Sequence, residues 1–152
     1  MIKHIITTGL FAAALLAGSA MAGQPLKVEN AWVRATAPGQ EIAGAYLDIT
    51  SAAAARLVKV ETPAAAAAEI HSMTMNDGVM EMRRIDGLEL PAGQTVRLAP
   101  GGYHIMLVGL KKPLKPGDGV RLRLTVERAN KSKTTVQVTA AVKDAAGRHG
   151  HP

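Results

Sequence analysis

The strongest constraint on this chain is a period of two. In GVRLRLTVERA (119–129) every second side chain through Val126 is apolar, and TTVQVTAAV (134–142) carries the same alternation. Side chains of a strand alternate between faces, so such text lays its apolar residues on one side of a sheet. Similar stretches recur between turn signals: LKVENAWVRA (26–35), closed by APGQ; AGAYLDIT (43–50); ARLVKVE (55–61), closed by Pro63; EIHSMTM (69–75) and VMEMRRI (79–85), flanking NDG; TVRLAP (95–100); and YHIMLVGL (103–110). No segment sustains a helical period, and there is no internal repeat. Two Ala-rich pieces, 52–55 and 64–68, each read either as a helical turn or as a low-complexity loop. Many short strands at this spacing predict an all-β domain, an antiparallel sandwich or barrel.

The N-terminus reads differently. Lys3 precedes the apolar run IITTGLFAAALLAG, which is too short to span a bilayer, and Ala20 and Ala22 stand where a signal peptidase reads small residues. The expectation is a secretory signal peptide over 1–22, cleaved after Ala22, then a β-domain over 23–146 and a flexible tail over 147–152. The mature chain is expected to have no membrane span and to work in the periplasm.

Composition removes several function classes. The formal net charge is +6, but no run of five or more basic residues exists, and only Trp32, Tyr46 and Tyr103 remain as aromatics beyond the leader. Nucleic-acid binding is not expected without a basic stripe and stacking platforms. There is no cysteine, so disulfides, lipid attachment at Cys, blue-copper electron transfer, zinc ribbons and iron–sulfur centres are excluded. No Ser/His/Asp set, carboxylate pair or phosphate loop is evident, so the chain is not expected to be an enzyme.

What remains distinctive is methionine. Beyond the leader these are Met73, Met75, Met80, Met82 and Met106. By the strand period His71, Met73 and Met75 share a face, as do Met80 with Met82 and His104 with Met106. A two-residue turn at Asp77-Gly78 would pair Met75 with Met80 and Met73 with Met82, bringing all the soft side chains of the hairpin onto one face. A three-residue loop would split them. Asp-Gly favours the first register. Thioethers select Cu(I) and imidazole tolerates it. Met is also an ordinary core filler, so on the residues alone a Met-rich core with incidental histidines stands beside a copper site.

The order His71, Met82, His104, Met106, with ten, twenty-one and one residues between successive members, resembles the signature of the periplasmic copper chaperones of the PCu(A)C family. The surrounding text, EIHSMTMNDGVMEMR, LELPAGQTVRLAPGGYHIMLVGLKKPLKPGD and AWVRATAPG, is similar to that family's as well. The resemblance implies a cupredoxin-like antiparallel Greek-key sandwich holding one exposed Cu(I) through His71, Met82, His104 and Met106. It implies a carrier that helps assemble the CuA centre of cytochrome c oxidase, with a Sco-type copper chaperone or cytochrome c oxidase subunit II as acceptor. In the tail, His149 and His151 stand two apart and are a separate candidate for Cu(II), which favours nitrogen ligands.

Overall fold

The protein is described by a computed structural model over residues 25–144. The leader at 1–22, the tail at 147–152, and with it His149 and His151, lie outside the described residues. Among the described residues there are ten strands: β1 Leu26–Arg34, β2 Ile42–Ser51, β3 Ala55–Glu61, β4 Ala65–Asn76, β5 Val79–Arg84, β6 Leu88–Leu90, β7 Thr95–Leu98, β8 His104–Leu110, β9 Gly119–Arg128 and β10 Lys133–Lys143. The all-β reading holds. The second Ala-rich piece is strand from Ala65, neither a helical turn nor a loop. Its residues pair with β8, Ala67 opposite Val108 and Ala68 opposite Leu107. Pairing partners override the helix preference of alanine.

The strands join in the order β5-β4-β8-β2-β1-β10-β9-β3-β6, with β7 also against β2. Neighbours run antiparallel with one exception, which corrects the wholly antiparallel expectation. β1 and β10 are parallel, with Trp32 opposite Ala141 and Arg34 opposite Lys143. A parallel pair needs a crossover, and everything between β1 and β10 serves as one. Alternation decides which face is dry. Val33, Ala45, Leu57, Ile105, Leu107, Leu122, Leu124, Ala140 and Val142 are buried in a single core cluster. The residues between them in sequence point the other way.

One irregularity positions the site. β7 and β8 lie end to end along the same edge of β2: Leu98 faces Leu47, and Ile105 faces Ala45. Between them the chain leaves the sheet and returns. The Ala99 N–H donates to the Tyr103 carbonyl at 3.0 Å and the Gly102 N–H to the Ala99 carbonyl at 3.0 Å, closing a small loop. His104 is the residue on which the strand resumes.

Candidate metal centre

The β4–β5 hairpin adopts the two-residue turn. Asp77 and Gly78 both have positive φ, 49° and 78°, as a type I′ turn requires, and glycine meets that need without strain. The register follows: Asn76 opposite Val79, Met75 opposite Met80, Met73 opposite Met82, His71 opposite Arg84. Directly opposed residues project to the same side, so His71 and the four hairpin methionines share a face.

β8 brings the second set to that face. His104 is the register partner of His71, and Met106 of Glu69. The two imidazole rings stand 5.5 Å apart between centroids, tilted by 38°. Ile70 and Ile105, their neighbours in sequence, point into the core. The histidines therefore occupy the side of the sheet away from the core, although His104 itself is only 4% exposed. A cavity of about 340 Å³ opens there, lined by Met73, Met82, His104 and Met106 together with Arg34, Gly44, Tyr46 and the Pro100-Gly101 turn. Gly44 leaves room for this arrangement: a β-carbon on it would come within 2.5 Å of the Tyr46 hydroxyl oxygen. His71 is not part of the cavity wall but packs beside it against His104. A larger cavity, about 540 Å³, runs between β3 and β4, and no His or Met lines it.

Each histidine has one ring nitrogen engaged and one left over. His104 Nδ1 lies 3.0 Å from the Gly102 carbonyl oxygen. A carbonyl only accepts, so Nδ1 carries the proton and Nε2 keeps its lone pair. His71 Nε2 lies 2.8 Å from Glu69 Oε2. An ionised carboxylate only accepts, so in neutral His71 the lone pair is on Nδ1. The hydrogen bond from His71 holds the Glu69 carboxyl below its ordinary range against partial desolvation, and the nearby Arg84 charge acts in the same direction. The two remaining nitrogens, His71 Nδ1 and His104 Nε2, are buried without a hydrogen-bond partner. A buried unpaired polar atom costs roughly 1–3 kcal/mol, so two lone pairs left this way on adjacent rings point to a ligand. The engaged nitrogens resemble the outer hydrogen bonds that orient histidines at metals.

Sequence reading missed these outer partners. In both cases the partner is the residue two earlier, Glu69 for His71 and Gly102 for His104. The same period that aligned the candidate ligands could have found Glu69. Gly102 depends on the loop and had no such signal. Arg34 was also missed: its Nε is buried without a partner and it lines the cavity.

The methionines do not serve the core. None of Met73, Met75, Met80, Met82 and Met106 belongs to the core cluster or to the hydrophobic residues packed against it. Met75, Met80 and Met82 are among the exposed large hydrophobics. The reading of a Met-rich core is set aside on that ground.

Comparison with known proteins gives three results. The family described as "Putative lipoprotein LpqE-like" matches residues 26–138. A protein of Leifsonia xyli subsp. xyli, "Putative lipoprotein Lxx21020", is 34% identical over 114 residues, 74% of this chain and 69% of that protein. Among solved structures, the copper-bound PCuAC domain from PmoF2 is similar at 28% identity with a TM-score of 0.64, over 78% of this chain and 92% of that domain. The Cu(I) form of DR1885 from Deinococcus radiodurans is similar at 32% identity with a TM-score of 0.62, over 86% and 87% of the two chains.

Proposed function

Because the chain belongs to the LpqE-like family, and folds like domains solved with copper bound, we propose that it is an exported copper chaperone whose cargo is one Cu(I). His71 Nδ1, His104 Nε2 and the thioethers of Met82 and Met106 hold the ion. The observation that carries this reading is the pair of buried, unpartnered imidazole nitrogens beside thioethers that no core requires. On the same reading the strands follow a cupredoxin-like Greek-key sandwich, the protein works in the periplasm after loss of residues 1–22, and it delivers copper toward the CuA centre of cytochrome c oxidase. A Sco-type chaperone or subunit II of the oxidase is the acceptor. His149 and His151 remain a separate candidate for Cu(II).

The donor set favours the monovalent ion. Thioethers are soft and uncharged, and no carboxylate lines the cavity. Arg34 does line it, and a fixed positive charge repels a divalent ion twice as strongly as a monovalent one at equal distance. Thioethers also need no deprotonation, so they add no pH dependence of their own to uptake. They cannot form disulfides in an oxidising compartment, and a site without thiolate can yield its ion to an acceptor rich in thiolates. Gly102 and Glu69 keep the lone pairs on the nitrogens that would face the ion, so binding starts from set tautomers.

Anaerobic titration of the mature protein with Cu(I), followed by X-ray absorption at the copper edge, tests the assignment. A first equivalent with two nitrogen and two sulfur scatterers is the expected result. A shell of nitrogen and oxygen alone would remove it.

The outer partner gives a second prediction. Glu69→Ala takes away the acceptor that fixes His71 and should weaken Cu(I) binding by about 10- to 100-fold. Glu69→Gln, which keeps an acceptor oxygen, should lose less. Competition against a Cu(I) chelator measures both, and equal affinity in all three proteins would show that Glu69 does not orient the ligand.

A further inference from the structure

β4 pairs with β8 only as far as His71 and His104. Beyond that point the register continues between β4 and β5 alone, so the segment from Ser72 to Arg83 runs on as a two-stranded ribbon. Two methionine pairs stand on one face of this ribbon. Met73–Met82 is the pair nearer the histidines and lines the cavity. Met75–Met80 is the next one out, 65% and 48% exposed.

Packing does not account for the outer pair, which touches no core. Apolar character alone does not account for it either. The chain draws on Leu, Ile, Val and Ala for its buried positions, yet places thioethers at four positions of this short ribbon. Opposed residues have β-carbons roughly 4.5–5.5 Å apart, and successive pairs on one face lie about 7 Å apart along a strand. A Met side chain has three rotatable bonds and adapts to such gaps. One ion can therefore be gripped by both members of a pair, and a sulfur of the neighbouring pair is within reach.

We propose that Met75 and Met80 form a second, outer Cu(I) station, from which the ion passes to and from the inner site by way of Met73 and Met82. The inference rests on the Cu(I) reading of the inner site. Passage is ligand exchange: along the ribbon one Cu–S bond forms as another breaks, at the inner site Cu–N bonds to the imidazoles form as Cu–S bonds to the ribbon break, copper stays monovalent, and no proton moves. The outer station binds more weakly, because it offers two exposed thioethers and no imidazole.

The test is anaerobic Cu(I) titration of protein labelled with 13C at the methionine methyls, followed residue by residue by NMR. The first equivalent is expected to shift Met82 and Met106. The second is expected to shift Met75 and Met80, and a Met75→Leu, Met80→Leu variant should lose the second equivalent while keeping the first. If Met75 and Met80 stay still through two equivalents while Met82 and Met106 respond, the outer station is refuted and the inner site stands. If the variant keeps its second equivalent, the station is refuted too. Silence of all five methyls would remove the inner site and the outer station together.

Discussion

Replacing His104 by alanine and Met106 by leucine in one chain is expected to abolish Cu(I) binding at the inner site and leave the fold in place. The two residues supply half of the proposed donor set from a single strand, and both line the cavity. Loss of an outer hydrogen-bond partner alone costs a metal site about 10- to 100-fold. Losing two direct donors should exceed that range. Met to Leu is close to volume-conserving and typically costs under about 1.5 kcal/mol. His104→Ala empties space next to an existing cavity and away from the core, so its cost should also be modest. The measurement is Cu(I) stoichiometry under anaerobic competition, with circular dichroism as the check on folding. A folded double variant that still binds its first equivalent as tightly as the unaltered protein, with nitrogen and sulfur scatterers, would show that the ligands lie elsewhere.

The largest effect on stability should come from the residue between them. Ile105 is fully buried and belongs to the core cluster. Ile105→Ala is expected to cost about 2–5 kcal/mol, through lost transfer energy and the cavity left behind. That is a substantial share of the roughly 5–15 kcal/mol that stabilises a typical domain. Urea unfolding measures it, with a lower midpoint at similar slope. A surface substitution such as Met75→Ala, on the ribbon, should stay within about 0.5 kcal/mol. A shift for Ile105→Ala as small as that would mean that β8 is not packed as described. Three consecutive residues thus divide the work of one strand: the outer two are proposed donors and the middle one is core.

That division was legible in advance, because it needs only the strand period and the apolar run around His104. The hairpin register was legible for a similar local reason, since Asp77-Gly78 is short-range turn chemistry that fixes which methionines oppose each other. What escaped is non-local. β6 has three residues, too few for its alternation to stand out. β7 and β8 read as two unrelated strands, and only their common neighbour β2 shows that they are one line interrupted by a loop. The alanines at the start of β4 take their conformation from β8, a strand about forty residues away in sequence. The parallel pairing of β1 with β10 leaves no local trace. In the candidate site, the proposed donors were named by type and spacing, whereas Gly102 and Arg34 reach it through a loop excursion and a strand that only the tertiary fold brings near.

The placing of β10 bears on how the chain acquires its structure. Its neighbours are β1 and β9; the pairing with β9 is a local hairpin, so until β10 docks on β1 these two strands present open edges in the middle of the sheet. Pairings this distant in sequence slow the approach to the native state. The species most open to proteases and to edge-to-edge aggregation is then a nearly finished one, which has made its hairpins, β9–β10 among them, and waits for β10 to join β1. Substitutions that delay β10 should lower the yield of folded protein more than their effect on equilibrium stability suggests.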